Sequence, residues 1–256
     1  MRRLIIRPGG IGDILLAIPA IEHLQPSAVW TRTELLPFFP NSKSIASSGL
    51  DSLGYFGAPA LSAFDEIHTW YGTQREDFRA ALEAIHPNVH WYEALPTDDD
   101  LHAADFFANQ VGAPTPAIPK LELDPQPNRL IWIHPFSGSA QKNWPLENYQ
   151  QLANYLRATG RSVEFIVAPH QAGIIPGARI LDDLKELAAL LSGSQLYIGN
   201  DSGITHLAAA SGAPTLAIFQ STNPQVWSPR GPKVEVLENP NLDEVLHASL
   251  SQSGFS

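Results

Sequence analysis

The chain has 256 residues, 44% of them apolar, which is enough to bury one large core or two smaller ones. A formal net charge of −10 excludes a broad nucleic-acid footprint, so an anionic substrate would need a local positive site. The absence of cysteine removes disulfides, thiolate metal sites and a cysteine nucleophile.

The opening "MRRLII" imitates the basic region of a signal peptide, but Arg7, Pro8 and Asp13 break the apolar run early. This predicts a mature, cytoplasmic N-terminus. No window approaches the ~18 uninterrupted apolar residues of a membrane span. Residues 3–7 read as a strand, "RPGGIGD" as a glycine-rich turn, and 13–24 as a helix that Pro19 kinks or stops. "SAVWT" is a second strand, and residues 31–62, rich in Pro, Ser and Gly, give only short, weak elements. "FDEIHTW" and "NVHWY" read as strands around a helix at 74–85, followed by a helix at 99–111 capped by Asp98, Asp99 or Asp100.

"GAPTPAIPKLELDPQPN", residues 112–128, has no helical period and reads as a linker. Beyond it the alternation resumes with the strand "RLIWIH", a helix at 145–159 ending at Gly160, and the strand "SVEFIVA". A helix at 182–192, the strand "QLYIGN", a helix at 202–211, the strand "PTLAIF" and a last helix at 241–251 complete the chain. Alternating strands and helices imply parallel sheets, hence two Rossmann-like domains, 1–120 and 121–256, facing a central cleft. Ligands of such sheets bind beyond the carboxyl ends of the strands.

Two loops at such ends carry chemistry. The first, "RPGGIGD", clears room with glycines, yet it puts Asp13 where the positive end of a helix would attract an anion. The bland reading is that Asp13 caps the helix. The second, "YIGNDSGITHLAAASGAPTLAIF" (197–219), puts Ser202 and Gly203 at a helix N-terminus suited to phosphate, with His206 one turn on. Here the bland reading is that Asp201 or Ser202 caps the helix and His206 packs in the core. Ser202 is no nucleophile elbow, since Gly199 precedes it by three residues and Gly203 follows directly. "GGIGDI" also fails the dinucleotide fingerprint.

"RPGGIGDILLAIPAI", "HPFSGSAQKNWPLENYQQLANYL" (134–156) and "GNDSGITHLAAASGAPTLAIFQSTNPQVWSP" together resemble glycosyltransferase family 9, the ADP-heptose:lipopolysaccharide heptosyltransferases. The resemblance implies the GT-B architecture, an acceptor-side first domain, a nucleotide-sugar-binding second domain, and a last helix that often returns to the first. It implies inverting transfer without metal or other cofactor, from a nucleotide-sugar such as ADP-heptose to a saccharide or lipid-linked saccharide, with at most peripheral contact with the inner membrane. Asp13 would be the catalytic base, with Gly9, Gly10 and Gly12 admitting the acceptor. Lys142, Ser137, Ser139, Ser202, Gly203 and His206 would hold the diphosphate, and Asp201 the sugar hydroxyls. The run "TDDDLHAAD" (97–105) reads as a solvated cap, so no metal set is assigned.

Two departures stand out. The family places a ribose-binding Glu after the strand equivalent to "SVEFIVA", whereas "PHQAGIIPGARILDD" has none and offers His170 or Gln171 instead. The chain is also shorter than typical members. The alternative reading is therefore a degenerate member that binds a nucleotide or sugar without transferring it.

Overall fold

The computed structural model describes residues 1–39, 43–46, 61–97, 99–125 and 127–252. They form two compact units, Met1–Ala117 and Ile118–Ser256. The division falls inside the proline-rich segment, three residues before the predicted boundary. From Ile118 the segment belongs to the second unit, where Leu121 N–H donates to the Ala210 carbonyl (2.8 Å) and Asn128 N–H to that of Gly193 (2.9 Å).

The first unit runs β1 (Arg3–Ile6), α1 (Ile11–His23), β2 (Ala28–Thr31), a 3-10 stretch (Thr33–Phe38), β3 (Lys43–Ala46), β4 (Glu66–Thr69), α2 (Glu76–Ile85), β5 (Val89–Trp91) and α3 (Ala103–Val111). Its strands are parallel in the order β3-β2-β1-β4-β5. Leu4, Ile5 and Ile6 are fully buried, because a central parallel strand is covered on both faces and needs an unbroken apolar run. On one face Leu4, Ile6, Trp30 and Ile67 pack with Phe78 and Leu82 of α2.

Helix α1 starts at Ile11, two residues earlier than predicted, and continues through Pro19 to His23. Seven buried residues between Ile14 and Ile21, packed in part on α3, hold it against the ~3 kcal/mol cost of an internal proline. Helix α3 starts later than predicted. Its cap is no carboxylate but His102, whose Nδ1 accepts from Ala104 N–H at 3.2 Å. Asp98, one of the expected caps, lies outside the described residues. Helix α3 ends on Gly112 in the left-handed region (φ 70°), where glycine carries no Cβ penalty.

The second unit runs β6 (Leu130–His134), α4 (Leu146–Ala158), β7 (Ser162–Val167), β8 (Arg179–Ile180), α5 (Leu184–Ser192), β9 (Leu196–Asn200), α6 (Gly203–Ala210), β10 (Thr215–Phe219), α7 (Pro224–Trp227), β11 (Val234–Glu238) and α8 (Leu242–Gln252). Its sheet order is β11-β10-β9-β6-β7-β8, the doubly wound dinucleotide-binding order. Helix α8 packs on α4 and gives Val245 and Ala248 to the second unit's core. Both units are thus parallel α/β sheets, as the GT-B expectation requires. Each has one point where the strand order reverses: between β1 and β4 in the first unit, and between β6 and β9 in the second. No helix among the described residues is long and apolar enough to cross a membrane.

Candidate functional site

In the first unit the loop after β1 emerges at the reversal point, as the fold rule requires of a ligand loop. Because α1 starts at Ile11, Asp13 is its third residue and not its cap. One carboxylate oxygen, Oδ2, accepts from the Gly10 N–H at 3.1 Å, so the side chain folds back over the helix entrance. The glycines serve this arrangement. Gly9 has φ +157°, a conformation that side chains disfavour, and a Cβ on Gly10 would meet Asp13 Oδ2 at 3.1 Å. Gly12 is the second residue of the helix. Asp13 is half-buried, leaving its second oxygen for other partners.

Beneath this loop lies Arg7, which sequence reading treated only as an interruption. Its guanidinium is buried, stacks 4.5 Å over the Phe107 ring, and donates Nη1–H to the Ala94 carbonyl at 3.0 Å. Nε and Nη2 have no hydrogen-bond partner among the described residues. Burial pulls the guanidinium down to about 10, with the charge of Asp13 opposing, so it stays a cation at neutral pH.

In the second unit the reversal point gathers most of the predicted donor residues. Asp201, 5% exposed, accepts through Oδ2 from Lys142 Nζ at 2.7 Å and from the Thr222 hydroxyl at 2.6 Å. Its Oδ1 lies 3.8 Å from His206 Nε2. Burial alone would raise the Asp201 carboxyl. His206, Lys142 and Thr222 outweigh it and hold the group at about 2. Lys142 leaves a loop that includes one 3-10 turn, Ala140–Lys142, and is only part-exposed. The expected diphosphate cation is therefore half of an ion pair.

Ser202 caps α6, accepting from Thr205 N–H, so the capping reading of that serine holds. Gly203 opens the helix, and His206 is buried with Nδ1 unpartnered among the described residues. Ser137 and Ser139 meet each other: Ser137 Oγ donates to the Ser139 carbonyl (2.7 Å) and accepts from the Ser139 N–H (3.3 Å). The Ser137 hydroxyl is thus occupied in shaping the loop.

Asn200 is the last residue of β9. It is fully buried, and its Oδ1 accepts from Trp144 N–H (2.8 Å) and the Tyr149 hydroxyl (2.8 Å) while Nδ2 donates to the Pro135 carbonyl (2.8 Å). This amide ties the Lys142 loop to the Asp201 loop. Of the two expected ribose substitutes, Gln171 spends Oε1 on the Ala168 N–H (3.0 Å). His170 is exposed. Sequence reading missed Thr222 and Arg7. Thr222 follows β10, the parallel neighbour of β9, and that adjacency is the signal that could have found it.

The family model described as glycosyltransferase family 9 (heptosyltransferase) matches residues 75–249. The lipopolysaccharide core heptosyltransferase OpsX of Haemophilus influenzae is 28% identical over 149 residues, covering 48% of this chain and 43% of that protein. Lipopolysaccharide heptosyltransferase 1 of Pseudomonas aeruginosa is 31% identical over 113 residues, covering 40% of this chain and 32% of that protein. The matched segments thus span less than half the length of these curated relatives. Among solved structures, E. coli ADP-heptose lps heptosyltransferase II has a TM-score of 0.76 at 16% identity, over 99% of this chain and 98% of that one. E. coli heptosyltransferase WaaC with ADP has a TM-score of 0.70 at 17% identity, over 98% of this chain and 100% of that one. At those identities the likeness is one of fold.

Proposed function

Because the chain belongs to glycosyltransferase family 9, we propose that it transfers a sugar from a nucleoside-diphosphate sugar to a saccharide acceptor, with inversion and without a metal. The sugar is a heptose, the nucleotide ADP, and the acceptor a saccharide of the lipopolysaccharide-core type. The names of the curated relatives and of the ADP-bound neighbour support that choice.

The observation that carries the reading is the Asp201–Lys142–Thr222–His206 cluster at the second sheet's reversal point, beside the N-terminus of α6. An ammonium has three donors. Lys142 spends one on Asp201, and the others face the leaving diphosphate together with the N–H groups of Ser202 and Gly203 and the Ser139 hydroxyl. Asp201 Oδ1 accepts from the sugar hydroxyls, His206 completes the diphosphate cradle, and Asp201 Oδ2 keeps the Lys142 ammonium fixed. In the first unit Asp13 keeps one oxygen on Gly10 N–H and presents the other to the acceptor hydroxyl. That hydroxyl oxygen attacks the anomeric carbon and its proton passes to Asp13. The bond to the diphosphate breaks, and its electron pair leaves with the diphosphate. A single displacement inverts the anomeric centre.

A second reading, nucleotide binding without transfer, is favoured by one feature. The loop after β7 lacks a carboxylate for the ribose, and its Gln171 is consumed in a turn. The test is incubation with ADP-heptose and a lipopolysaccharide-core oligosaccharide in excess EDTA, following ADP release and the anomeric configuration by NMR. The proposal expects stoichiometric ADP and an inverted glycoside. ADP-heptose binding with no product would establish the second reading, and chelation that stops transfer would remove metal independence.

A further inference from the structure

The first unit carries a side-chain cluster that the transfer reading does not use. Strands β4 and β5 are parallel, with His68 directly opposite His90. Residues two apart on a strand share a face, so Glu66 and His68 point the same way. We propose that Glu66, His68 and His90 form a divalent-metal site of the type that takes Zn2+ or Co2+.

Each of the three residues offers one ligand atom, and these atoms lie within 4.8 Å of one another. His68 Nε2 and Glu66 Oε2 are 3.3 Å apart. That is the edge of a tetrahedron with metal bonds of ~2.0–2.1 Å, which works out at about 3.3 Å. The far side of the His68 ring is already fixed, because Nδ1 meets Tyr92 Oη at 2.9 Å. With Tyr92 accepting from Nδ1–H, the Nε2 lone pair is left for a metal, the outer-shell arrangement that orients ligating histidines.

Glu66 is oriented in turn by Arg3, whose Nε donates to Oε2 at 2.8 Å and whose Nη1 is anchored on the Leu24 carbonyl at 2.9 Å. The Arg3 charge works against a cation, so the site is weaker than an all-neutral second shell would allow. His90 stacks on His68 with ring centroids 4.5 Å apart, and stacked rings direct their lone pairs side by side. It must therefore turn to point a nitrogen inward. It is exposed on β5, an edge strand, so the turn meets little resistance, and water can take the fourth position. Glu66 is the first residue of β4, whereas the Asp13 loop lies at the carboxyl ends of the strands. The site is structural, bracing the β4–β5 edge, and stands whether or not the transfer reading does.

The test uses the full chain without an affinity tag, titrated with Zn2+ by calorimetry and with Co2+ by visible absorption. The expected result is about one Zn2+ per chain, Co2+ bands of tetrahedral intensity that Zn2+ abolishes, and a Tm raised by Zn2+. His90→Ala, at an exposed position that leaves the fold intact, abolishes all three. Glu66→Gln does the same, and Tyr92→Phe weakens Zn2+ binding about 10–100-fold. A wild-type chain without the Co2+ bands would overturn the proposal, as would a His90→Ala chain that binds Zn2+ with unchanged stoichiometry and affinity.

Discussion

Asp201 and Lys142 are joined so tightly that neither can be altered alone without exposing the other's requirement. Removing Lys142 withdraws the proposed phosphate donor and also leaves a buried carboxylate with one partner fewer. We expect Lys142→Ala to weaken ADP binding by about 1.5–3 kcal/mol, as for a lost charge-assisted hydrogen bond, measured by calorimetry. Unchanged affinity would mean that the phosphates lie elsewhere. The pair also has a pH signature. The Asp201 carboxyl is held at about 2, below its ordinary 3.8, so the folded state favours the ionised form. That contribution, roughly 2 kcal/mol, is complete above about pH 5 and fades as the pH falls towards 2. Asp201→Asn should therefore be less stable than wild type at pH 7, with the gap in urea midpoints narrowing between pH 5 and pH 3. A gap independent of pH would contradict this. At this scale the sequence exposed residues whose neighbours are local, such as Asp13 beside Gly10 and Ser202 at a helix entrance. Arg7 reaches a carbonyl 87 positions away, and Thr222 a carboxylate 21 positions away. Such pairings are set by strand order, which no local pattern displays.

The elements around the second site are held by Asn200, a polar side chain at the end of a strand. Its truncation would leave the Trp144 N–H, the Tyr149 hydroxyl and the Pro135 carbonyl without this partner in the buried interior. At about 1–3 kcal/mol for each buried group left unpaired, and with partial relaxation, Asn200→Ala should cost about 3 kcal/mol. Urea unfolding measures it, and a loss within ~0.5 kcal/mol, as at an ordinary surface site, would sink the assignment. The end of β6 carries a second titration. Burial, with a smaller push from His170, lowers His134 from 6.5 to about 4, so the folded state favours the neutral ring. The stability it contributes is whole above about pH 6.5 and is lost as the pH falls towards 4, by a few kcal/mol. His134→Gln should flatten the acid limb of stability over that window, as read from urea midpoints. An unchanged limb would show that His134 does not carry it. The buried central strands and most of the helices were legible because their apolar runs and periods are strong. The strands not read from sequence, β3, β8 and β11, all lie at sheet edges. An edge is covered less completely, so it needs no apolar run to announce it.

For the molecule as a whole, a net charge of −10 makes local positive features the natural places for anionic ligands. Lys142 in the second unit and Arg7 in the first are such features, the one part-exposed and the other buried. The parallel, doubly wound character of both units was legible from strand–helix alternation, while strand order and the packing of α8 on α4 were not. These depend on which surfaces meet, and periodicity does not encode that. The transfer account and the proposed metal site separate cleanly under chelation: EDTA should strip Zn2+ from the first unit and leave transfer running. The most direct measurement of the central claim is single-turnover transfer from saturating ADP-heptose to a core oligosaccharide by Asp13→Asn, with donor affinity determined in parallel. The account predicts a rate lower by about 10²–10⁴ with donor affinity essentially unchanged, and a wild-type rate in that variant would contradict it.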